Sequence, residues 1–117
     1  MKYFTFEEFD SPDEISSGKH MRREFLELLD FAREEAQVPF KITSGFRTHS
    51  HNKKVGGVTD SSHLKGCAVD ISCTSSSQRS IIVRALVNVG FTRLGIAKSF
   101  IHVDNDPDKS DAIWLYS

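Results

Sequence analysis

Two histidines and one aspartate lie at positions that would bring them to a single metal ion. His63 and Asp70 flank a turn at Gly66 that leads into an apolar, strand-like run, and His102 lies in a second such run, Phe100–Asp104. Imidazole nitrogens and carboxylate oxygens are ligands of catalytic Zn²⁺, which keeps a fourth position open for water. The pattern therefore predicts a fold in which two strands place three ligands around one hydrolytic zinc ion.

Length and charge restrict the class of protein further. The 117 residues are enough for one domain, which we expect to span residues 1–117. The formal net charge of −1 argues against a nucleic-acid partner, because such a surface needs an excess of basic residues. No apolar run is long enough for a membrane span or a signal-peptide core. We expect a monomer that is synthesised in the cytoplasm without a signal peptide.

The hydrophobic pattern predicts two helices and five strands. The helices are predicted at residues 20–37 and 75–90, and the strands at residues 40–43, 67–73, 91–96, 99–104 and 112–116. Residues 44–63 form a long polar, glycine-rich stretch, which in a small domain is usually functional. This order predicts an α+β fold with a mainly antiparallel sheet, helices packed on one side and the ligands on the other.

The two cysteines, Cys67 and Cys73, are predicted to be free thiols. If they share one strand, they lie about 20 Å apart, beyond the reach of a disulfide bond. Both would face the same side as Val69 and Ile71, so we interpret them as small core residues. Cys67 as a fourth zinc ligand is the less favoured alternative, because in a strand it points away from the face of Asp70.

Four short motifs together resemble those of a known enzyme family. They are Ser44-Gly45-Phe46-Arg47, Val55-Gly56-Gly57, Ser62-His63-Leu64-Lys65-Gly66 leading to Ala68-Val69-Asp70, and Ile101-His102-Val103-Asp104. In this order they resemble the zinc D-alanyl-D-alanine peptidases that cut bacterial cell-wall peptides, including phage-encoded members. The resemblance implies a Hedgehog-like fold, a Zn²⁺ cofactor held by His63, Asp70 and His102, and a peptidoglycan stem peptide as substrate.

The resemblance also implies a role for Arg47. Its position in the first motif matches the family's substrate arginine, which could bind the substrate and stabilise the developing oxyanion. From spacing alone, a surface arginine paired with a nearby carboxylate would be the favoured interpretation.

The general base is where the chain departs from the family. Members of the family carry Glu three residues, or His two residues, before the last ligand, whereas this chain has Ser99 and Phe100 there. Asp104 is our leading candidate, because residues two apart on a strand share a face and Asp104 follows His102 at that spacing. Asp104 could equally orient a ligand imidazole. His51 and His49, in the polar stretch, are the alternative bases.

The sequence thus favours a zinc metallopeptidase of the cell wall, either a D-Ala-D-Ala carboxypeptidase or an endolysin-like endopeptidase. It would reach the wall after release from the cell or as part of a phage particle. Two alternatives remain open. One is a catalytically inactive, metal-bearing module that binds a cell-wall peptide or a protein, and the other is a structural component of a phage.

Overall fold

The computed structural model covers all 117 residues and contains three α-helices and a five-stranded sheet. The helices are α1 (Arg23–Ala36), α2 (His49–Lys54) and α3 (Ser76–Asn88), and the strands are β1 (Ile42–Ser44), β2 (Ala68–Ser72), β3 (Arg93–Ile96), β4 (Phe100–Asp104) and β5 (Ala112–Leu115). Short 3₁₀ turns form at Phe6–Phe9, Ser17–His20 and Ser62–Lys65. None of the helices has the length and apolar character that crossing a membrane would require.

The strand order in the sheet is β1-β2-β4-β3-β5. The pairs β1–β2, β2–β4 and β3–β4 are antiparallel, and β3–β5 is parallel. The predicted α+β class with a mainly antiparallel sheet is confirmed. The parallel pair makes the sheet mixed. Since β2 and β3 already occupy both edges of β4, the last strand can add only at an outer edge, and it runs alongside β3.

Strand alternation separates the core from the face that carries the predicted ligands. Val69 and Val103 are fully buried in the core, whereas their neighbours Asp70 and His102 point to the opposite face. Asp70 and His102 are direct partners across β2 and β4, so the register alone places these two side chains together. The core side is completed by apolar residues of α1 and α3, among them Phe25, Leu29, Ile82 and Leu86.

The polar stretch between β1 and β2 contains more regular secondary structure than the sequence predicts. It contains α2, which begins where Thr48 accepts a hydrogen bond of 3.1 Å from the backbone N–H of His51 through its hydroxyl. The first long helix begins at Arg23 rather than near His20, because Ser17–His20 form a 3₁₀ turn that ends in the extended residue Met21.

The cysteines conform to the sequence-based prediction. Cys67 and Cys73 are free and belong to the buried core. Burial raises the pKa of the Cys67 thiol to about 11, so it stays protonated at neutral pH.

Candidate metal centre

The structure brings His63, Asp70 and His102 together, as their spacing predicts. One ligand atom from each side chain lies within 4.8 Å of the others. The Oδ1 atom of Asp70 is 3.4 Å from Nε2 of His63 and 3.0 Å from Nδ1 of His102. Both imidazoles are buried. The three side chains therefore form a compact group that could hold a metal ion.

A backbone carbonyl sets the orientation of His63. Its Nδ1 atom lies 2.8 Å from the carbonyl oxygen of Gly45. A carbonyl oxygen only accepts hydrogen bonds, so Nδ1 must carry a proton, and Nε2 is the ring nitrogen that faces Asp70 and could bind a metal. The backbone N–H of Arg47 donates to the carbonyl of His63 at 3.2 Å, which fixes the 3₁₀ turn against the segment after β1.

A buried carboxylate sets the orientation of His102. Its Nε2 atom lies 2.7 Å from Oδ2 of Asp104, whose side chain is 1% exposed. The other oxygen of Asp104 accepts hydrogen bonds from Nε of Arg93 at 2.8 Å and from the backbone N–H of Asp106 at 3.1 Å. Donation from Nε2 to Asp104 leaves Nδ1 as the nitrogen of His102 that faces Asp70 and could bind a metal.

Burial and mutual hydrogen bonds shift the pKa values of His102, Asp70 and Asp104. Burial lowers the pKa of His102, but hydrogen bonds to Asp104 and Asp70 outweigh it and hold this pKa above its ordinary value. Burial raises the pKa of Asp70, and the hydrogen bonds from His102 and His63 reverse this shift and hold the carboxyl well below its usual range. The pKa of Asp104 is lowered in the same way: burial is outweighed by hydrogen bonds, chiefly from His102. Both aspartates are therefore charged at neutral pH.

The donor set fits a divalent cation. One nitrogen of each imidazole converges with the charged carboxylate of Asp70, and the other nitrogen of each imidazole lies within hydrogen-bond distance of an oxygen. A cation bound there would displace any proton carried by the two converging nitrogens. This pairing of a ligand imidazole with an oxygen behind it is typical of zinc sites.

Arg47 lies beside the ligand group, and its side chain is 15% exposed. Its Nε donates to the hydroxyl of Ser44 at 3.2 Å, and its Nη1 donates to Oδ1 of Asn52 at 3.2 Å. Its Nη2 lies 3.7 Å from Oδ2 of Asp70. The guanidinium therefore faces the same space as the potential metal ligands.

The ligand group opens onto a cleft of about 470 Å³. On the side of β1 and β2 the cleft is bounded by Arg47 and by residues 55–58, here called the rim loop. On the side of β5 it is bounded by Phe100, Trp114 and Tyr116, here called the aromatic wall. The Trp114 ring lies 5.5 Å from the His102 ring, measured between centroids. The cleft thus combines a polar floor with one aromatic side.

The aromatic wall depends on the absence of a side chain at Gly95. A Cβ atom there would lie 2.6 Å from Nε1 of Trp114 and 2.6 Å from Cε2 of Tyr116. Gly95 pairs with His102 on one side and with Trp114 on the other. Because residue 95 has no side chain, the rings of Trp114 and Tyr116 can lie over β3, next to the candidate metal ligands.

The structure does not bring the two alternative bases to this group. His51 lines a separate depression with Asp13 and Lys54, and His49 lines another with Glu14 and His20. Asp104 is adjacent to the group through its bond to His102.

The sequence did not reveal several residues of the site: Arg93, Lys109, Trp114 and Tyr116, which line the cleft, and Asn52, which contacts Arg47 behind it. The spacing of Trp114 and Tyr116 shows that they share one face of the last strand. Which face that is depends on the pairing of β5 with β3, which no local pattern reveals. Arg93 is likewise recognisable only once its register opposite Asp104 is known.

The protein thus has an α+β fold, and its sheet carries a His-Asp-His group at the floor of a cleft. These features are those of a protein with one candidate mononuclear metal centre. The family model described as peptidase M15 matches residues 2–104, which is most of the chain. The chain therefore belongs to the peptidase M15 family, and its resemblance to the zinc D-Ala-D-Ala peptidases is confirmed. No curated protein matches the sequence significantly.

Proposed function

We propose that this chain is a zinc metallopeptidase that hydrolyses peptide bonds in bacterial peptidoglycan, with residues 1–117 as one catalytic domain. The observation that carries the proposal is the convergence of His63, Asp70 and His102, whose ligand atoms lie within 4.8 Å of one another at the floor of a cleft. Membership in the peptidase M15 family supports a metallopeptidase. A bound Zn²⁺ would supply a Lewis acid and lower the pKa of a coordinated water to about 7.

Arg47 is proposed to act on the substrate. Its guanidinium faces the ligand group and stays beyond hydrogen-bond distance of Asp70, at 3.7 Å. The N–H groups of Nη2, which is not bonded to Ser44 or Asn52, are thus available to a carbonyl oxygen that enters the cleft. In the transition state this oxygen gains negative charge, which a fixed guanidinium stabilises more strongly than it stabilises the neutral carbonyl.

Asp104 is proposed to position His102 rather than to accept the proton from water. Its two oxygens already accept hydrogen bonds from His102, Arg93 and the backbone of Asp106. A role as general base would require Asp104 to give up one of these bonds while buried. For His51 to act as the base, it would have to leave its own depression beside Asp13.

The charges of the cleft favour cleavage of an internal peptide bond. A carboxypeptidase needs a cation for the terminal carboxylate of its substrate. Arg93 is already paired with Asp104 and with the carbonyl of Ser110, and Lys109 donates to the carbonyl of Asp60 and to Ser62. Arg47 alone keeps donors directed at the ligand group, and its proposed role on the scissile carbonyl leaves no further lysine or arginine in the cleft for a terminal carboxylate. We therefore propose an endopeptidase that acts on the stem peptide or the cross-bridge.

A digest of defined muropeptides, read by mass spectrometry, tests the proposal. Zinc-loaded protein should release fragments whose masses identify the bond, a chelator should abolish cleavage, and added zinc should restore it. An endopeptidase should also cut a stem peptide whose C-terminal carboxylate is amidated. Cleavage of the free acid alone would indicate a carboxypeptidase. No cleavage by the zinc-loaded protein would favour the metal-bearing binding module.

We also propose where the enzyme acts. An enzyme of this kind would reach peptidoglycan after release from the cell or within a phage particle. A lysis assay on isolated cell walls, with the protein added from outside, would measure whether it acts on the intact polymer.

A further inference from the structure

Asn52 is a buried amide that joins Arg47 to the rim loop. The residue is 4% exposed. Its Oδ1 accepts a hydrogen bond of 3.2 Å from Nη1 of Arg47, and its Nδ2 donates a hydrogen bond of 2.8 Å to the carbonyl of Val58. Its own carbonyl accepts from the backbone N–H of Gly57 at 2.8 Å. Asn52 thus contacts the guanidinium and the carbonyl of Val58 through its side chain, and the neighbouring Gly57 through its backbone.

The rim loop can approach Asn52 only because residue 57 is glycine. A Cβ atom on Gly57 would lie 2.0 Å from Oδ1 of Asn52 and 3.0 Å from Nη1 of Arg47. A side chain there would occupy the place where the amide meets the guanidinium. The sequence therefore pairs a buried asparagine with a glycine five residues later to keep this contact open.

The hydrogen bond to Asn52 restricts the guanidinium of Arg47, which could otherwise pair with a carboxylate. Arg47 has many rotamers, and the nearest full charge is the carboxylate of Asp70. A bidentate pair with Asp70 would be a favourable arrangement for a guanidinium, but it would occupy a carboxylate that the metal needs. The amide of Asn52 and the hydroxyl of Ser44 instead hold two guanidinium nitrogens and keep Nη2 at 3.7 Å from Asp70.

We propose that Asn52 is a positioning residue: it holds the guanidinium of Arg47 toward the reacting carbonyl and couples its placement to the rim loop. The inference rests on the proposed function, in which Arg47 acts on the substrate. Asn52 itself contacts no predicted metal ligand, so metal affinity should not depend on it.

Two variants break the contact in different ways. Asn52→Ala removes the amide, and Gly57→Ala keeps the amide but places a methyl group against it. Both should lower kcat/KM by about tenfold or more through kcat, because a misplaced catalytic group loses transition-state stabilisation. Zinc content should match that of the wild type. Asn88→Ala, at an exposed asparagine at the end of α3, is the matched control and should retain wild-type kinetics.

A double-mutant cycle separates positioning from general stability. If Asn52 acts through Arg47, Asn52→Ala should cause little further loss in an Arg47→Ala background. Losses that multiply in the double variant would overturn the proposal, as would wild-type kinetics in both Asn52→Ala and Gly57→Ala.

Side-chain ¹⁵N NMR of Arg47 supplies a measurement that does not depend on turnover. In the wild type, rotation of the guanidinium about Nε–Cζ should be slow, and both variants should accelerate it, whereas Asn88→Ala should not. Equal rotation rates in all four proteins would exclude the positioning role. If rotation changes as expected but the zinc-loaded wild type cuts no muropeptide, the positioning stands and the proposed function is what fails.

Discussion

The hydroxyl of Ser62 donates a hydrogen bond of 2.8 Å to the carboxylate of Asp106. Ser62 precedes the candidate ligand His63, and Asp106 follows the end of β4, the strand that carries His102. Lys65 donates to both oxygens of the same carboxylate, at 3.0 and 2.9 Å. The Asp106 side chain is fully buried. One carboxylate therefore connects the two segments that carry His63 and His102.

Asp106→Asn should destabilise the protein at neutral pH. Burial raises the pKa of Asp106, but hydrogen bonds, chiefly from Lys65, outweigh it and hold the pKa well below its ordinary value. Because the pKa is lower in the folded state, the carboxylate stabilises the fold above the unfolded-state pKa of about 4, and this stabilisation is lost as the pH falls toward the folded-state value. Urea titrations at pH 7 should show a loss of about 1 to 3 kcal/mol, which should shrink at pH 3.

Asp108→Asn is the control for this pH dependence. Asp108 also contacts Lys65, at 3.3 Å, but its side chain is 76% exposed. Its replacement should change the free energy of unfolding little at either pH. Equal losses in the two variants, or a loss in Asp106→Asn that does not vary with pH, would show that Asp106 does not contribute through its charge.

The convergence of His63, Asp70 and His102 could be predicted from the sequence because local rules determine their positions. His63 and Asp70 are separated by one turn and the start of a strand, and alternation along β2 and β4 places Asp70 and His102 on the face opposite Val69 and Val103. An aspartate between apolar strand residues also needs a hydrogen-bonding or charged partner, and a metal ion would meet that need.

The residues around the His-Asp-His group could not be predicted from local sequence patterns. Asn52 lies in a stretch that reads as loop, and its role depends on the return of the rim loop to within hydrogen-bond distance. Arg93 meets Asp104 only through the pairing of β3 with β4, and Trp114 reaches the cleft only through the parallel pairing of β5. Such contacts arise from tertiary packing and leave no periodic signal in the sequence.

The first prediction for the metal centre is one zinc ion per chain. Protein purified without added metal should contain near-stoichiometric zinc by elemental analysis. His102→Ala should lose most of it, because two remaining ligands bind zinc far more weakly than three. His20→Ala, at an exposed histidine outside the ligand group, should keep its zinc. Full zinc retention in His102→Ala would remove His102 from the site.

Arg47→Ala should impair catalysis and leave zinc content unchanged. The loss in kcat/KM should correspond to about 2 to 4 kcal/mol, the range for a lost oxyanion donor. Arg47→Lys should restore little, because an ammonium has its donors at a single nitrogen, whereas the guanidinium presents separate nitrogens to Ser44, to Asn52 and to the ligand group. Steady-state kinetics on a defined muropeptide would measure both variants. Wild-type kinetics in Arg47→Ala would contradict a catalytic role for the arginine.

The last prediction separates the two roles that the sequence left open for Asp104. Asp104→Asn keeps the shape of the side chain and can still accept from His102, but it loses the negative charge that makes the imidazole a better ligand. If Asp104 positions His102, zinc affinity should fall about 10- to 100-fold, and excess zinc should largely restore turnover. Competition with a chromophoric chelator would measure the affinity, and kinetics at several zinc concentrations would measure the rescue. A general base would give the opposite result: intact zinc binding, with turnover reduced about 100-fold or more at every zinc concentration. Because the Asp104 side chain is 1% exposed and both its oxygens are already bonded, we expect the first result.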